Sequence, residues 1–223
     1  MIEPKEITRS NRKTLALTIN RSGELIVRAP FNLPDYEIFK FIEEKDAWIK
    51  SRINKIRNKS VNNPDLVSYQ AFLLFGKMYQ VVVSKTAKSV QFVGDVCIVP
   101  SGLSTAEMVH KAILTYKRLA NKWLLKRTEE ISSVTGLKFN SFKISDTKGR
   151  WGACTSKKEI NLNFRVVCLA PPLIDYIIVH ELAHTKEMNH SAKFWTIVES
   201  ILPDYKKRRK AVKDLNILFE IYR

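Results

Sequence analysis

The stretch His180-Glu181-Leu182-Ala183-His184-Thr185-Lys186-Glu187-Met188-Asn189-His190 holds three of the four histidines of a 223-residue chain. Residues four apart stack on one face of an α-helix, so His180 and His184 can grip one metal ion. Glu181 is turned about 100° around the axis, within reach of a water at that ion without joining its ligands. His190 supplies a third imidazole. A structural zinc closes with four protein ligands, often thiolates, whereas three neutral imidazoles leave a fourth position for water. The ion then keeps nearly its full charge and lowers the pKa of that water toward about 7. The segment therefore reads as a catalytic centre for one Zn2+, with ligands His180, His184 and His190 and general base Glu181. Ile174, Ile177, Ile178 and Leu182 give its helix an apolar side, and Pro171-Pro172 introduces it. Cys154 as a fourth ligand or a histidine-paired nucleophile lacks the helix-start or CxxC setting that activates a thiol.

The pattern is helical from Pro172 to Arg223, broken near Asn189 and Pro203. Asn189 tolerates a positive-φ bend better than Glu187, so the metal helix is expected to run slightly longer before the chain turns. Ser191 is placed to cap the next helix, whose Phe194, Trp195, Ile197, Val198 and Ile201 read as core. Tyr205 reads as packing, with a role as oxyanion donor the alternative. Upstream, Glu159–Phe164 alternates as a strand. It is either a sheet edge whose Asn161-Leu162-Asn163 backbone pairs with a peptide substrate, or a core strand with Asn161 and Asn163 in local hydrogen bonds. Arg150 and Trp151 follow Lys148-Gly149 and either line the cleft or, for Trp151, pack beneath it. Phe142–Ser145 is a further strand.

The longest helix is expected over Thr105 to Thr135, started by Thr105 with Glu107 and stopped by Gly136. Its buried stripe reads Met108, Ala112, Tyr116, Leu119 and Trp123, which leaves His110 on the surface. Strands Met78–Val83, Ser89–Val93 and Val96–Val99 precede it. The polar stretch 58–68, with Pro64, is the linker candidate. A long helix is expected from Pro34-Asp35 to about Asn58. Thr14–Ile19 and Glu24–Arg28 form a hairpin with Gly23 at its positive-φ position. This gives an α+β protein in two parts: a β-rich N-terminal subdomain over 1–104 with one long helix, and a catalytic unit over 105–223.

The offsets of the four site residues match the metzincin pattern HExxHxxGxxH, but Glu187 replaces its glycine and no methionine follows Met188. The fuller motif order is Arg150-Trp151-Gly152-Ala153-Cys154, Ile160-Asn161-Leu162-Asn163, His180-Glu181-Leu182-Ala183-His184, Asn189-His190-Ser191, Phe194-Trp195 and Pro203-Asp204-Tyr205. In this order the chain resembles the YgjP-like metallopeptidase family, relatives of the SprT-like and WLM zinc metallopeptidases. Ala153 stands where that family more often has Ser. The resemblance implies a zincin-like α+β fold, zinc on His180, His184 and His190, and Glu181 as catalytic base.

The 38 Lys and Arg against 22 Asp and Glu give a net charge of +16, and the 45% apolar content excludes wholesale disorder. No apolar stretch approaches the roughly 18 residues of a membrane span. Met1 to Glu6 lacks the apolar block of a signal peptide. Cys97, Cys154 and Cys168 form no CxxC pair, so a cytoplasmic protein without disulfides is expected. The basic excess is spread along the chain, and Lys206-Lys207-Arg208-Arg209-Lys210 must point all round a helix. Such charge tunes what approaches the site: acidic peptides, nucleic-acid-bound proteins or nucleotides. A peptide or protein substrate is expected. The alternative is a nucleotide (phosphoanhydride) hydrolase, although no carboxylate cluster offers a second metal. A nucleic-acid-binding protein with a structural zinc ranks third.

Overall fold

Leu25, Val27 and Ala29 are buried while the residues between them are not, the alternation of a strand with one covered face. This strand is β3 (Leu25–Pro30), the centre of a sheet with β1 (Glu6–Ser10) parallel and β2 (Ala16–Ile19) antiparallel to it. The computed structural model describes residues 3–20, 24–61 and 68–222, with side chains over 3–20, 24–53 and 68–222. The β2–β3 hairpin is the expected one, with Gly23 outside the described residues. β1 carries a single large apolar residue, Ile7, and is recruited by pairing Glu6 to Ser10 with Ile26 to Pro30.

The single helix expected from Pro34 is two helices, α1 (Asp35–Glu44) and α2 (Asp46–Val61). The break falls at Lys45, whose ψ of 7° leaves the helical range within the polar run Glu43-Glu44-Lys45-Asp46. Ile38, Ile42 and Ile49 bury against Leu25, Val27 and Ala29. These elements form one compact unit, Met1–Pro64, and Asp65–Arg223 forms a second. Residues 62–67, most of the linker candidate, lie outside the described residues.

In the second unit β4 (Ala71–Leu74), β5 (Lys77–Ser84), β6 (Gln91–Val93) and β7 (Val96–Pro100) form a sheet in the order β4-β5-β7-β6. Their buried side chains share one core with α3 (Thr105–Thr135) and with the rest of residues 105–223. Ser104, one residue earlier than expected, caps α3. Its backbone N–H donates to Glu107 Oε2 at 2.8 Å, and its hydroxyl accepts from the Glu107 N–H at 3.4 Å. The buried line of α3 runs Val109, Ala112, Ile113, Tyr116, Ala120, Leu124 and Ile131. Met108, Leu119 and Trp123 are only half-covered, so the helix is rotated from the expected stripe toward its neighbours. His110 is exposed, as expected.

The third sheet contains β8 (Ser141–Ser145), β9 (Gly152–Cys154) and β10 (Glu159–Asn163), in the order β8-β10-β9. β10 is therefore central, with both sides taken by β8 and β9. Its Asn161-Leu162-Asn163 backbone has no side left for a substrate, which corrects the edge reading. The local alternative holds for Asn163: its Oδ1 accepts from the Arg165 N–H at 3.1 Å and starts the 3-10 helix Phe164–Cys168. Its Nδ2 donates to the carbonyls of Thr147 at 2.8 Å and Arg150 at 3.3 Å, which fixes the loop leading into β9.

Then come α4 (Pro171–Ala183), α5 (Ala192–Ile201), α6 (Tyr205–Asp214) and the short α7 (Leu218–Ile221). α4 is buried on most of its faces through Ile174, Tyr176, Ile177, Ile178, Val179 and Leu182, as a helix apolar all round must be. Three ties hold it in place. The Arg127 fork on α3 donates to both Asp175 oxygens at 2.8 and 2.9 Å. Arg208 on α6 donates to the Pro172 carbonyl at 2.8 Å. At the β4–β5 turn, the Phe75 and Gly76 N–H groups donate to the Val167 and Cys168 carbonyls at 2.7 and 3.1 Å. Gly76 has φ 77°, and an added Cβ would stand 2.7 Å from Ala170 Cβ, so only glycine brings this turn onto the start of α4. The α+β class matches expectation. No helix among the described residues is long and apolar enough to cross a membrane.

Candidate metal centre

α4 ends at Ala183, and His184 is its C-terminal cap in helical conformation. The next N–H groups fold back closely, Thr185 to the Leu182 carbonyl at 3.0 Å and Lys186 to that of Ala183 at 3.0 Å. The chain thus peels away in tightened turns. Neither Glu187 nor Asn189 adopts a positive φ, and the helix does not run past His184 as expected. Asn189 works through its side chain instead, its Oδ1 accepting from the Ser191 N–H at 2.9 Å. Ser191 caps α5 as expected, accepting from the Phe194 N–H at 3.4 Å. These two local bonds bring His190 back over α4.

One ligand nitrogen from each of His180, His184 and His190 lies within 4.8 Å of the other two. His180 Nε2 and His190 Nε2 are 3.1 Å apart. Zinc–nitrogen bonds of about 2.0–2.1 Å in a tetrahedron put ligand nitrogens about 3.3 Å apart, so this donor set fits one ion. His184 Nδ1 lies 3.0 Å from the Glu187 carbonyl, which requires its proton and leaves Nε2 as the free donor. Burial pushes His180 down to about 3, and the neighbouring histidines and Arg209 push the same way. Burial, then His184 and Arg209, also lower His190. Both therefore stay neutral at pH 7, the state in which imidazole binds metal.

Phe194 is fully buried beneath the cluster, its ring 5.0, 4.4 and 4.8 Å from those of His180, His184 and His190. It is core, as expected, and it also fixes all three imidazoles. Trp195 stacks on His190 at 5.6 Å and on Tyr205 at 5.2 Å. Tyr205 is 6% exposed and packs, as expected. Trp151 packs too, on Phe219 at 4.6 Å, and its Nε1 donates to Asn216 Oδ1 at 2.9 Å.

Glu181 is 6% exposed on the α4 face turned toward β9. A Cβ added at Gly152 would stand 2.7 Å from both Glu181 Cγ and Oε1, so glycine makes room for this carboxylate. Neither the closeness of Gly152 nor the floor formed by Phe194 was readable as function in the sequence. Burial pushes the Glu181 carboxyl up to about 8, opposed by the positive charge of Arg150. Burial and then Glu181 hold the Cys154 thiol at about 11, and its sulfur is not among the converging ligand atoms. A protonated thiol is neither nucleophile nor zinc ligand. All three cysteines are free.

An HExxH segment, a third imidazole from the following turn and a buried glutamate beside them are arranged as a metallopeptidase centre requires. A family model described as "YgjP-like, metallopeptidase domain" matches residues 13–215, and the chain belongs to this YgjP-like family. The chain is similar to two solved structures over part of its length. The metallopeptidase zymogen of Pyrococcus abyssi abylysin is 26% identical with a TM-score of 0.37, covering 40% of this chain and 90% of that one. The metallopeptidase zymogen of Methanocaldococcus jannaschii jannalysin is 24% identical with a TM-score of 0.36, covering 42% of this chain and 98% of that one. No curated protein matches the sequence.

Proposed function

We propose that the chain is a zinc-dependent peptidase in which His180, His184 and His190 hold one ion and Glu181 is the general base. The observation that carries this reading is the convergence of three imidazoles beside a buried carboxylate. A zinc ion there would supply Lewis-acid polarisation of the scissile carbonyl and acidify water. Glu181, turned away from the ligand face, accepts the proton of the attacking water and passes it to the leaving amine. Its raised pKa suits both acceptance and return of a proton near neutrality, and Arg150 favours its charged form. β9 is an edge strand, and Gly152 in it touches Glu181. A peptide added along its open side gains main-chain hydrogen bonds and is brought beside the base. Three free cysteines accord with a reducing compartment, and we place the protein in the cytoplasm on that ground.

The test is hydrolysis of casein and of a broad quenched-peptide set by zinc-loaded protein. Cleavage should cease when 1,10-phenanthroline removes the ion and return when zinc is restored. Cleavage that persists in metal-stripped protein would contradict the reading.

A further inference from the structure

The basic run on α6 is expected to fan around its helix, and it does, yet one member stands apart. Arg208 is tied to both Asp204 oxygens at 2.9 and 3.0 Å and to the Pro172 carbonyl. Lys206 lies 4.0 Å from Glu199. Arg209 is exposed and forms no ion pair among the described residues, but its guanidinium carbon sits over the Trp195 ring, 4.7 Å from the centroid. Tyr205, one helical turn earlier on the same face, stacks on the same indole. That indole stacks on His190 and sits 5.8 Å from His180. Contact with an aromatic face restricts the guanidinium, whose exposed N–H fork can grip a carboxylate with two bonds. Through Trp195, Arg209 stands at the rim of the histidine cluster.

We propose that Arg209 is a specificity-determining residue that selects peptides carrying a carboxylate next to the scissile bond, from an acidic side chain or from a free C-terminus. This deepens the peptidase reading and rests on it. A phosphate would also meet the fork. However, the open edge of β9 beside Glu181 offers main-chain pairing that a peptide can use and a nucleotide cannot. A phosphate site normally adds several further donors or a helix N-terminus, whereas this aromatic stack carries the Arg209 guanidinium on Trp195 and the Lys206 ammonium over Tyr205.

The experiment compares zinc-loaded intact protein with Arg209→Gln and Arg209→Lys on twin peptides. Each twin pair has Glu or Gln at one position around the cleaved bond, and each peptide carries a free or an amidated C-terminus. Binding of the same labelled peptides to Glu181→Gln protein, with and without Arg209→Gln, is read by fluorescence anisotropy. The intact protein should prefer the carboxylate-bearing twin by about 10- to 100-fold in kcat/KM, the scale of one charged hydrogen-bonded pair. Arg209→Gln should bring the ratio between the twins to about one in both turnover and binding, whatever its effect on the neutral twins. Arg209→Lys should recover part of the preference. The side-chain and C-terminal arms identify which carboxylate is read. Cleavage of both twins at equal rates, or a preference that survives Arg209→Gln, overturns the proposal while the peptidase reading stands. Acidic peptides that bind through Arg209 yet are never cut leave the proposal standing and remove the peptidase reading. A nucleoside triphosphate hydrolysed in an Arg209-dependent way, with no peptide bound, overturns both.

Discussion

Glu181→Gln should leave zinc content at one ion per chain and reduce kcat by about 10²- to 10⁴-fold, the usual range for loss of a general base. The amide keeps the shape of the side chain and cannot accept the proton of an attacking water. The ligand set should survive because, among the described residues, the converging donors are His180, His184 and His190. The fold should survive as well. Burial already opposes charge on Glu181, so a neutral amide is no less at ease there. Zinc content by elemental analysis, read beside single-turnover rates, separates the two roles. Loss of the ion would make Glu181 a ligand, and full activity would move the base elsewhere.

A methyl group at Gly152 should have the second largest effect although it adds no polar atom. The added Cβ of Gly152→Ala would stand 2.7 Å from Glu181 Cγ and Oε1 and 2.8 Å from Cδ. Carbon atoms rest about 3.5–4.0 Å apart, so the carboxylate or the β9 edge must move by close to an ångström. A displacement of that size costs about 10²-fold in rate when it lies in the reacting geometry. The loss should fall on kcat, with zinc content unchanged, and Gly152→Val should deepen it. A Gly152→Ala protein as active as the intact one would show that Glu181 is not the group that acts.

The convergence of the three histidines was legible because it is local. The four-residue step from His180 to His184 and the nearby His190 need only helical geometry and a short turn, and the structure brings their nitrogens together. What depended on distant pairing was not legible. Glu159 to Asn163 alternates equally well as an edge or a central strand, and only β9, three residues long and shaped by Gly152, decides that it is central. β1 was invisible because Ile7 alone cannot signal a strand that exists through its pairing with β3. On α3 both the Met108 and the Val109 lines keep helical spacing, and the partner surfaces choose the second. Phe194 read correctly as core, but its place under three imidazoles required the return of α5 over α4. Arg209 was hidden within a run of five charges, and only the indole beneath it distinguishes it from its neighbours.

The most direct test of a three-imidazole centre with an open position is X-ray absorption at the zinc edge of the loaded protein. Three imidazole nitrogens at about 2.0–2.1 Å and one further oxygen, with no sulfur, are predicted. A sulfur shell at about 2.3 Å would bring Cys154 into the coordination and contradict the account, as would a fourth imidazole closing the site.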